Sequence, residues 1–161
     1  MRRIFIPSVC FLFLFPSLLF SEDEHSHAER ELGVSLAYVD LMDEDEAAPS
    51  IHLHLVKRLH GSDLLERLGI GLGFETIFAD HAHHTLMASL IFFPIDHLAI
   101  SVSPGIVWVN EEGGWENYYA THIEASYGFE IGKYEVGPVI GWAESDEGSH
   151  RMFGIHFGFE F

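Results

Sequence analysis

Apolar and polar residues alternate along the chain from residue 33 onward, in short segments separated by turn-forming residues. Successive side chains of a β-strand point to opposite faces of a sheet, so an alternation with a period of two predicts strands rather than helices. Eight segments follow this pattern: 33–41, 49–58, 67–78, 84–93, 97–109, 115–129, 133–143 and 149–161. The chain is therefore predicted to be all-β.

The residue types on the two faces of these strands indicate which face meets lipid. In segment 67–78, one face carries large apolar side chains such as Leu72 and Phe74, and the other carries small or polar residues such as Gly73 and Glu75. A water-exposed sheet would carry Lys, Thr and Gln, whereas glycine with sparse polar groups suits the crowded interior of a narrow barrel. The apolar face is therefore predicted to point outward.

A sheet with a lipid-facing side must close, because its backbone groups find no water to bond in the membrane. An even number of antiparallel strands closes in this way, so residues 33–161 are predicted to form an eight-stranded antiparallel up-and-down transmembrane β-barrel. So narrow a barrel has room only for side chains, and we expect no open passage of sugars or peptides. Aromatic residues at the predicted strand ends fit interfacial girdles: Tyr38, Trp108, Trp115, Tyr134 and Trp142.

The first residues have the pattern of an export signal. A basic start is followed by a short apolar run and then by acidic residues, which predicts a cleaved signal peptide over residues 1–21. Cys10 lies inside it, so we expect no thiol or disulfide in the exported protein. Residues 22–32 are predicted to be a polar periplasmic lead-in, and the barrel is expected in the outer membrane.

Charge excludes one class of partner and histidine content suggests another. With 25 acidic and 8 basic residues the net charge is −17, so the chain has no electrostatic means of holding nucleic acid. Histidine is unusually frequent, with 12 residues. Because neutral imidazole and carboxylate bind zinc, nickel or copper, divalent cations are a candidate partner, although no cofactor is certain.

The histidines fall into two candidate ligand sets. The first consists of inward-facing residues on the predicted strands: His52, His54, Glu75, His122, Glu124 and His156. The second lies in a predicted loop: Asp80, His81, His83 and His84. The alternative for the first set is a polar plug, in which His–Glu hydrogen bonds fill a lumen that carries nothing. Both interpretations remain open at this stage.

The chain ends on the alternating segment from Gly154 to Phe161, and this ending carries a resemblance. Together with the predicted architecture, it resembles the small eight-stranded outer-membrane β-barrels, such as the OmpA membrane domain, OmpX and OmpW. The resemblance implies that Phe157, Phe159 and Phe161 form the signal read by the barrel-assembly machinery, and that outer-membrane lipid surrounds the barrel. It covers residues 33–161 and indicates a class without indicating a member.

That class also contains lipid A-modifying enzymes, and the residues argue against this activity. The deacylase PagL has Ser two residues after its His, whereas here Glu124 follows His122. His122 is also predicted to face the lumen, away from lipid. We therefore expect a non-enzymatic barrel that binds or senses divalent cations. The alternative is a structural or adhesion-type envelope barrel with a plugged lumen.

Overall fold

The computed structural model describes residues 29–44, 46–111, 114–146 and 148–161. The predicted signal peptide over 1–21 and the first part of the predicted lead-in, 22–28, lie outside the described residues. Among the described residues, no helix is long and apolar enough to cross a membrane.

The described part of the chain is built almost entirely from strands. They are β1 Arg30–Leu41, β2 Glu46–Arg58, β3 Leu68–Phe78, β4 Ala82–Ile95, β5 Leu98–Glu111, β6 Gly114–Tyr127, β7 Phe129–Ile131, β8 Tyr134–Ser145 and β9 Ser149–Glu160. Between β2 and β3 the chain forms a 3-10 turn at Leu65–Arg67.

These strands close into an eight-stranded antiparallel barrel, as predicted. Strands β1 to β6 pair antiparallel in chain order, β6 and the short β7 both pair with β8, and β9 joins β8 to β1. β7 follows β6 after Gly128 and pairs with the same neighbour, β8. The two segments therefore count as one of the eight strands of the barrel. The closure is completed at its edge by the Phe161 N–H, which donates to the Arg30 carbonyl oxygen at 2.9 Å.

The predicted faces of the strands are confirmed. Leu72 on the outer face is 61% exposed, and Glu75 on the inner face is 1% exposed. The inward glycines make room for large polar side chains. A β-carbon added at Gly73 would lie 2.7 Å from His52 Nε2, and one added at Gly158 would lie 2.9 Å from Glu31 Oε1.

The two ends of the barrel differ in what they carry. Both ends of the described chain and the connections 59–67, 96–97 and 132–133 lie at one end, here called the terminal end. At the other end, here called the turn end, residues 42–45 separate β1 from β2, and the other three connections are shorter.

Several strands run further than the alternation predicted. β1 begins at Arg30 rather than at residue 33, and β4 begins at Ala82 rather than at residue 84. The physical reason is pairing with neighbouring strands, which continues wherever a partner is available: Arg30 lies opposite Lys57 of β2. This extension brings Glu31 into the barrel wall.

Candidate metal centre in the barrel lumen

A set of ionisable side chains from five strands runs along the interior of the barrel. Within each strand, these residues occupy alternate positions, which places them on the inner face. We call the set the lumenal column, and it consists of Glu31, His52, His54, Glu75, His122, Glu124, His150 and His156.

The first group in the column is the Glu75 triad, formed by Glu75, His122 and His150. Glu75 Oε2 lies 3.7 Å from His122 Nδ1 and 3.9 Å from His150 Nε2, and the three ligand atoms lie within 4.8 Å of one another. Glu75 is 1% and His122 2% exposed. The triad is therefore a compact set of ligand atoms from two buried residues and the partly buried His150.

Three potential ligand atoms of the triad lack the hydrogen bonds that buried polar atoms normally make. Among the described residues, neither carboxylate oxygen of Glu75 nor Nε2 of His150 has a hydrogen-bond partner. Leaving a buried polar atom unpaired costs about 1–3 kcal/mol, and more for a charged group. A water molecule or a cation bound at the centre of the triad would give these atoms a partner and so stabilise the barrel.

The spacing of the triad suits a metal ion. Zinc holds imidazole nitrogen and carboxylate oxygen at about 2.0–2.2 Å in tetrahedral geometry, which places neighbouring ligand atoms roughly 3.4 Å apart. The separations from Glu75 to the two histidines are only slightly longer. Two imidazoles and one carboxylate can thus converge on one divalent cation with small side-chain movements.

The second group is the Glu31 triad, formed by Glu31, His54 and His156 nearer the terminal end. Glu31 Oε1 lies 3.0 Å from His156 Nε2 and 3.4 Å from His54 Nε2, both within hydrogen-bonding distance. The two imidazole rings stack with their centres 4.9 Å apart, and Ser35 Oγ lies 3.4 Å from His156 Nδ1. This triad is satisfied by its own hydrogen bonds.

A central pair lies between the two triads. His52 Nδ1 and Glu124 Oε1 are 3.1 Å apart, so strands β2 and β6 meet across the lumen. The contact does not have hydrogen-bond geometry, and neither atom has another hydrogen-bond partner among the described residues. The pair is therefore an ion-pair contact when His52 is protonated, and it leaves ligand atoms available when His52 is neutral.

The turn end of the lumen has an acidic mouth. A cavity opens there, enclosing about 450 Å³ of space that is partly open to solvent, and it reaches from Asp43 and Glu44 down to His122. His83 faces this cavity with Nε2 3.6 Å from Glu44 Oε1. Partial burial, helped by neighbouring Glu46 and Asp43, raises the pKa of Glu44, which lies in the turn after β1.

All six residues of the predicted lumenal set face the lumen, but they do not form one site. The structure divides them between the Glu75 triad, the central pair and the Glu31 triad. Sequence reasoning missed His150 and Glu31. The alternation already placed His150 on the same face as His156, whereas Glu31 was assigned to the lead-in because the first strand was expected to begin at residue 33.

The predicted loop set is not brought together. Because β4 begins at Ala82, His83 turns into the lumen while His84 turns outward and stacks on Trp115, with ring centres 5.3 Å apart. His81 Nδ1 lies 3.0 Å from the Asn110 carbonyl oxygen. The Asp80 backbone N–H donates to the Glu46 carboxylate at 3.0 Å. The segment is therefore a turn and a strand start rather than a single exposed ligand cluster.

The three terminal phenylalanines lie on the outer face of β9 and just beyond it. Phe157 and Phe161 are exposed, and the rings of Phe159 and Phe161 stack with centres 6.1 Å apart. Their recognition by the assembly machinery stays a prediction.

Comparison with known proteins bears on the fold. No protein-family model and no curated protein sequence matches the chain. Among solved structures, Neisserial surface protein A superimposes with a TM-score of 0.58 at 9% identity, covering 82% of this chain and 96% of that one. The N-terminal β-barrel domain of Pseudomonas aeruginosa OprF gives a TM-score of 0.56 at 12% identity, covering 84% of this chain and 100% of that one.

By fold, the chain is a small outer-membrane β-barrel. The attachment invasion locus protein Ail of Yersinia pestis is a further match, with a TM-score of 0.53 at 11% identity over 84% of this chain and 100% of that one. At such identities the likeness concerns the fold alone. The exposed apolar side chains of this small barrel, such as Leu72 and Phe153, accordingly lie where such barrels contact lipid.

Proposed function

We propose that this outer-membrane barrel binds a divalent transition-metal cation in its lumen, at the Glu75 triad, and does not act as an enzyme. The observation that carries the proposal is the convergence of two imidazole nitrogens on one carboxylate oxygen at 3.7 and 3.9 Å. Of these atoms, the Glu75 oxygen and His150 Nε2 are buried and have no hydrogen-bond partner among the described residues. Water or a cation can satisfy such a set. The ligand-like spacing favours a cation.

The donor types narrow the choice of cation. Calcium and magnesium prefer all-oxygen environments, whereas a site with two imidazoles suits zinc, nickel or copper. The candidate site contains no sulfur ligand, which favours these divalent ions over copper(I). Zinc is the first ion to test because it accepts the irregular, four-coordinate geometry that three protein ligands and one water provide.

Access to the site is from the turn end. The cavity that reaches His122 and His150 opens between carboxylates that include Glu44 and Glu144. A mouth lined by one sign of charge raises the local concentration of the opposite ion. The terminal end carries the lead-in and therefore faces the periplasm in this proposal, so the mouth of the site faces the outside of the cell.

Calorimetry on protein refolded in detergent tests the proposal directly. Replacing a residue that merely supports a ligand costs about 10–100-fold in metal affinity, so loss of a ligand through His150→Ala should cost at least that. His84→Ala is the matched control, because it removes a histidine from the outer face. Equal zinc affinity in His150→Ala and the parent would refute the site.

One observation favours the alternative, a structural or adhesion-type barrel with a plugged lumen. The Glu31 triad is held together by its own hydrogen bonds and needs no ion. If zinc, nickel and copper all give no heat signal at micromolar protein, the whole column serves as packing. The structural function would then be preferred.

A further inference from the structure

Two cavities enter the barrel from opposite ends and stop on either side of one layer of side chains. The cavity at the turn end reaches His122 and His150. The cavity at the terminal end encloses about 650 Å³, partly open to solvent, and reaches His52 and Glu124. His52 lies directly opposite Glu75 in the register of β2 and β3. The layer between the cavities therefore contains metal-ligating side chains.

Residues with potential ligand atoms follow one another through this layer as neighbours on paired strands or as side-chain contacts. Directly opposite residues of paired strands have β-carbons about 4.5–5.5 Å apart, which is the step from Glu75 to His52. His52 contacts Glu124 at 3.1 Å, and its ring centre lies 5.3 Å from that of His54. His54 Nε2 in turn lies 3.4 Å from Glu31 Oε1. The column is thus continuous from one cavity to the other.

We propose that a divalent transition-metal cation crosses the barrel along the lumenal column by ligand exchange, from the Glu75 triad through the central pair to a second binding site at the Glu31 triad. This inference rests on the proposed function and adds a second site and a passage. At the second site, His156 and His54 already direct nitrogens at one carboxylate oxygen, and the cation would replace their hydrogen bonds.

Ligand exchange is the form of passage that so narrow a barrel permits. Its interior is filled by side chains, and an unliganded divalent cation is too costly to place among them. Each of the three positions along the column has one carboxylate, from Glu75, Glu124 or Glu31. The cation therefore has a negatively charged ligand at each position. Passage by binding at each step saturates with cation concentration, whereas diffusion through a water-filled pore does not.

The terminal end allows release of the cation. Arg58 lines the cavity at the terminal end, but its guanidinium carbon lies 4.0 Å from the centre of the Phe93 ring, against the barrel wall. Glu31 and Glu135 line the same cavity and outnumber this positive charge. The exit is therefore not closed to a cation by electrostatic repulsion.

The experiment is zinc influx into vesicles that contain the full barrel and an entrapped zinc-sensitive dye. We expect influx above that of protein-free vesicles, with a rate that saturates as external zinc rises. Glu31→Gln and Glu124→Gln should each lower influx at least about tenfold, because a buried ion that loses its partner is strongly destabilised. Ser103→Ala is the control, since Ser103 is buried in the lumen but bonds to Ser89, outside the column.

Calorimetry on the same preparations separates this proposal from the one it rests on. The parent should bind a second equivalent of zinc that Glu31→Gln lacks. Binding at the Glu75 triad with influx no greater than in protein-free vesicles would overturn the passage and leave the proposed function standing. Influx that rises linearly and is unchanged in Glu124→Gln would also overturn it. If the parent binds no zinc at the Glu75 triad, both proposals are refuted.

Discussion

Replacing Glu75 by methionine should make the metal-free barrel more stable. Glu75 is buried, and its carboxylate makes no hydrogen bond among the described residues. Leaving a buried polar atom unpaired costs about 1–3 kcal/mol, and methionine removes both unpaired oxygens. Methionine has a similar length and a flexible side chain, so we expect Glu75→Met to raise the free energy of unfolding by an amount within that range.

Zinc should reverse or remove this difference. A ligand at one hundred times its dissociation constant stabilises the native state by about 2.7 kcal/mol. The parent should gain that amount at the Glu75 triad, whereas Glu75→Met lacks a ligand there and should gain less, from the Glu31 triad alone. A binding site of this kind lowers the free energy of unfolding of the metal-free barrel and raises that of the zinc-bound barrel.

Urea unfolding in lipid vesicles, followed by tryptophan fluorescence with and without zinc, measures both effects. Ser103→Ala serves as the control, since it loses one buried hydrogen bond and should respond to zinc as the parent does. The reasoning fails if Glu75→Met is less stable than the parent without zinc. It also fails if zinc raises the stability of both proteins equally.

Three further predictions concern the lipid face, assembly and pH. Leu72→Arg should lower stability in lipid by about 2–4 kcal/mol, measured by the same unfolding assay, and unchanged stability would reverse the assignment of faces. Deleting Phe161 or residues 149–161 should lower outer-membrane insertion, seen as loss of heat-modifiable protein; normal insertion after loss of β9 would contradict the closed barrel, whose β1 pairs with β9. Zinc affinity measured by calorimetry should fall as the pH drops through about 6.5, because protons compete with metal for imidazole, and a pH-independent affinity would argue against histidine ligands.

The faces of the strands could be predicted because alternation reports directly on which side of a sheet each residue occupies. The positions of Leu72 and Glu75 follow from this rule alone. The order of strands in a closed eight-stranded barrel also places β2 across the lumen from β6. The contact between His52 and Glu124 agrees with this order.

The strand ends and the grouping of ligands could not be predicted in the same way. A strand ends where its neighbour stops offering a partner, so the inclusion of Glu31 depends on pairing with β2 and β9 rather than on local composition. Which imidazole meets which carboxylate depends on the stagger between strands. Alternation alone therefore placed six residues in one lumenal set, and it could not separate His122 from His54.

X-ray absorption at the zinc edge tests the central claim most directly. The parent and each variant carry Glu31→Gln, which removes the second proposed site, and are loaded with one equivalent of zinc. We expect a first shell of nitrogen and oxygen at about 2.0–2.2 Å with the outer scattering of two imidazoles. In His150→Ala, the spectrum should show one imidazole fewer, while the spectrum of His84→Ala should match the parent. A parent spectrum without imidazole scattering, or one that is unchanged in His150→Ala, would contradict a metal centre at the Glu75 triad.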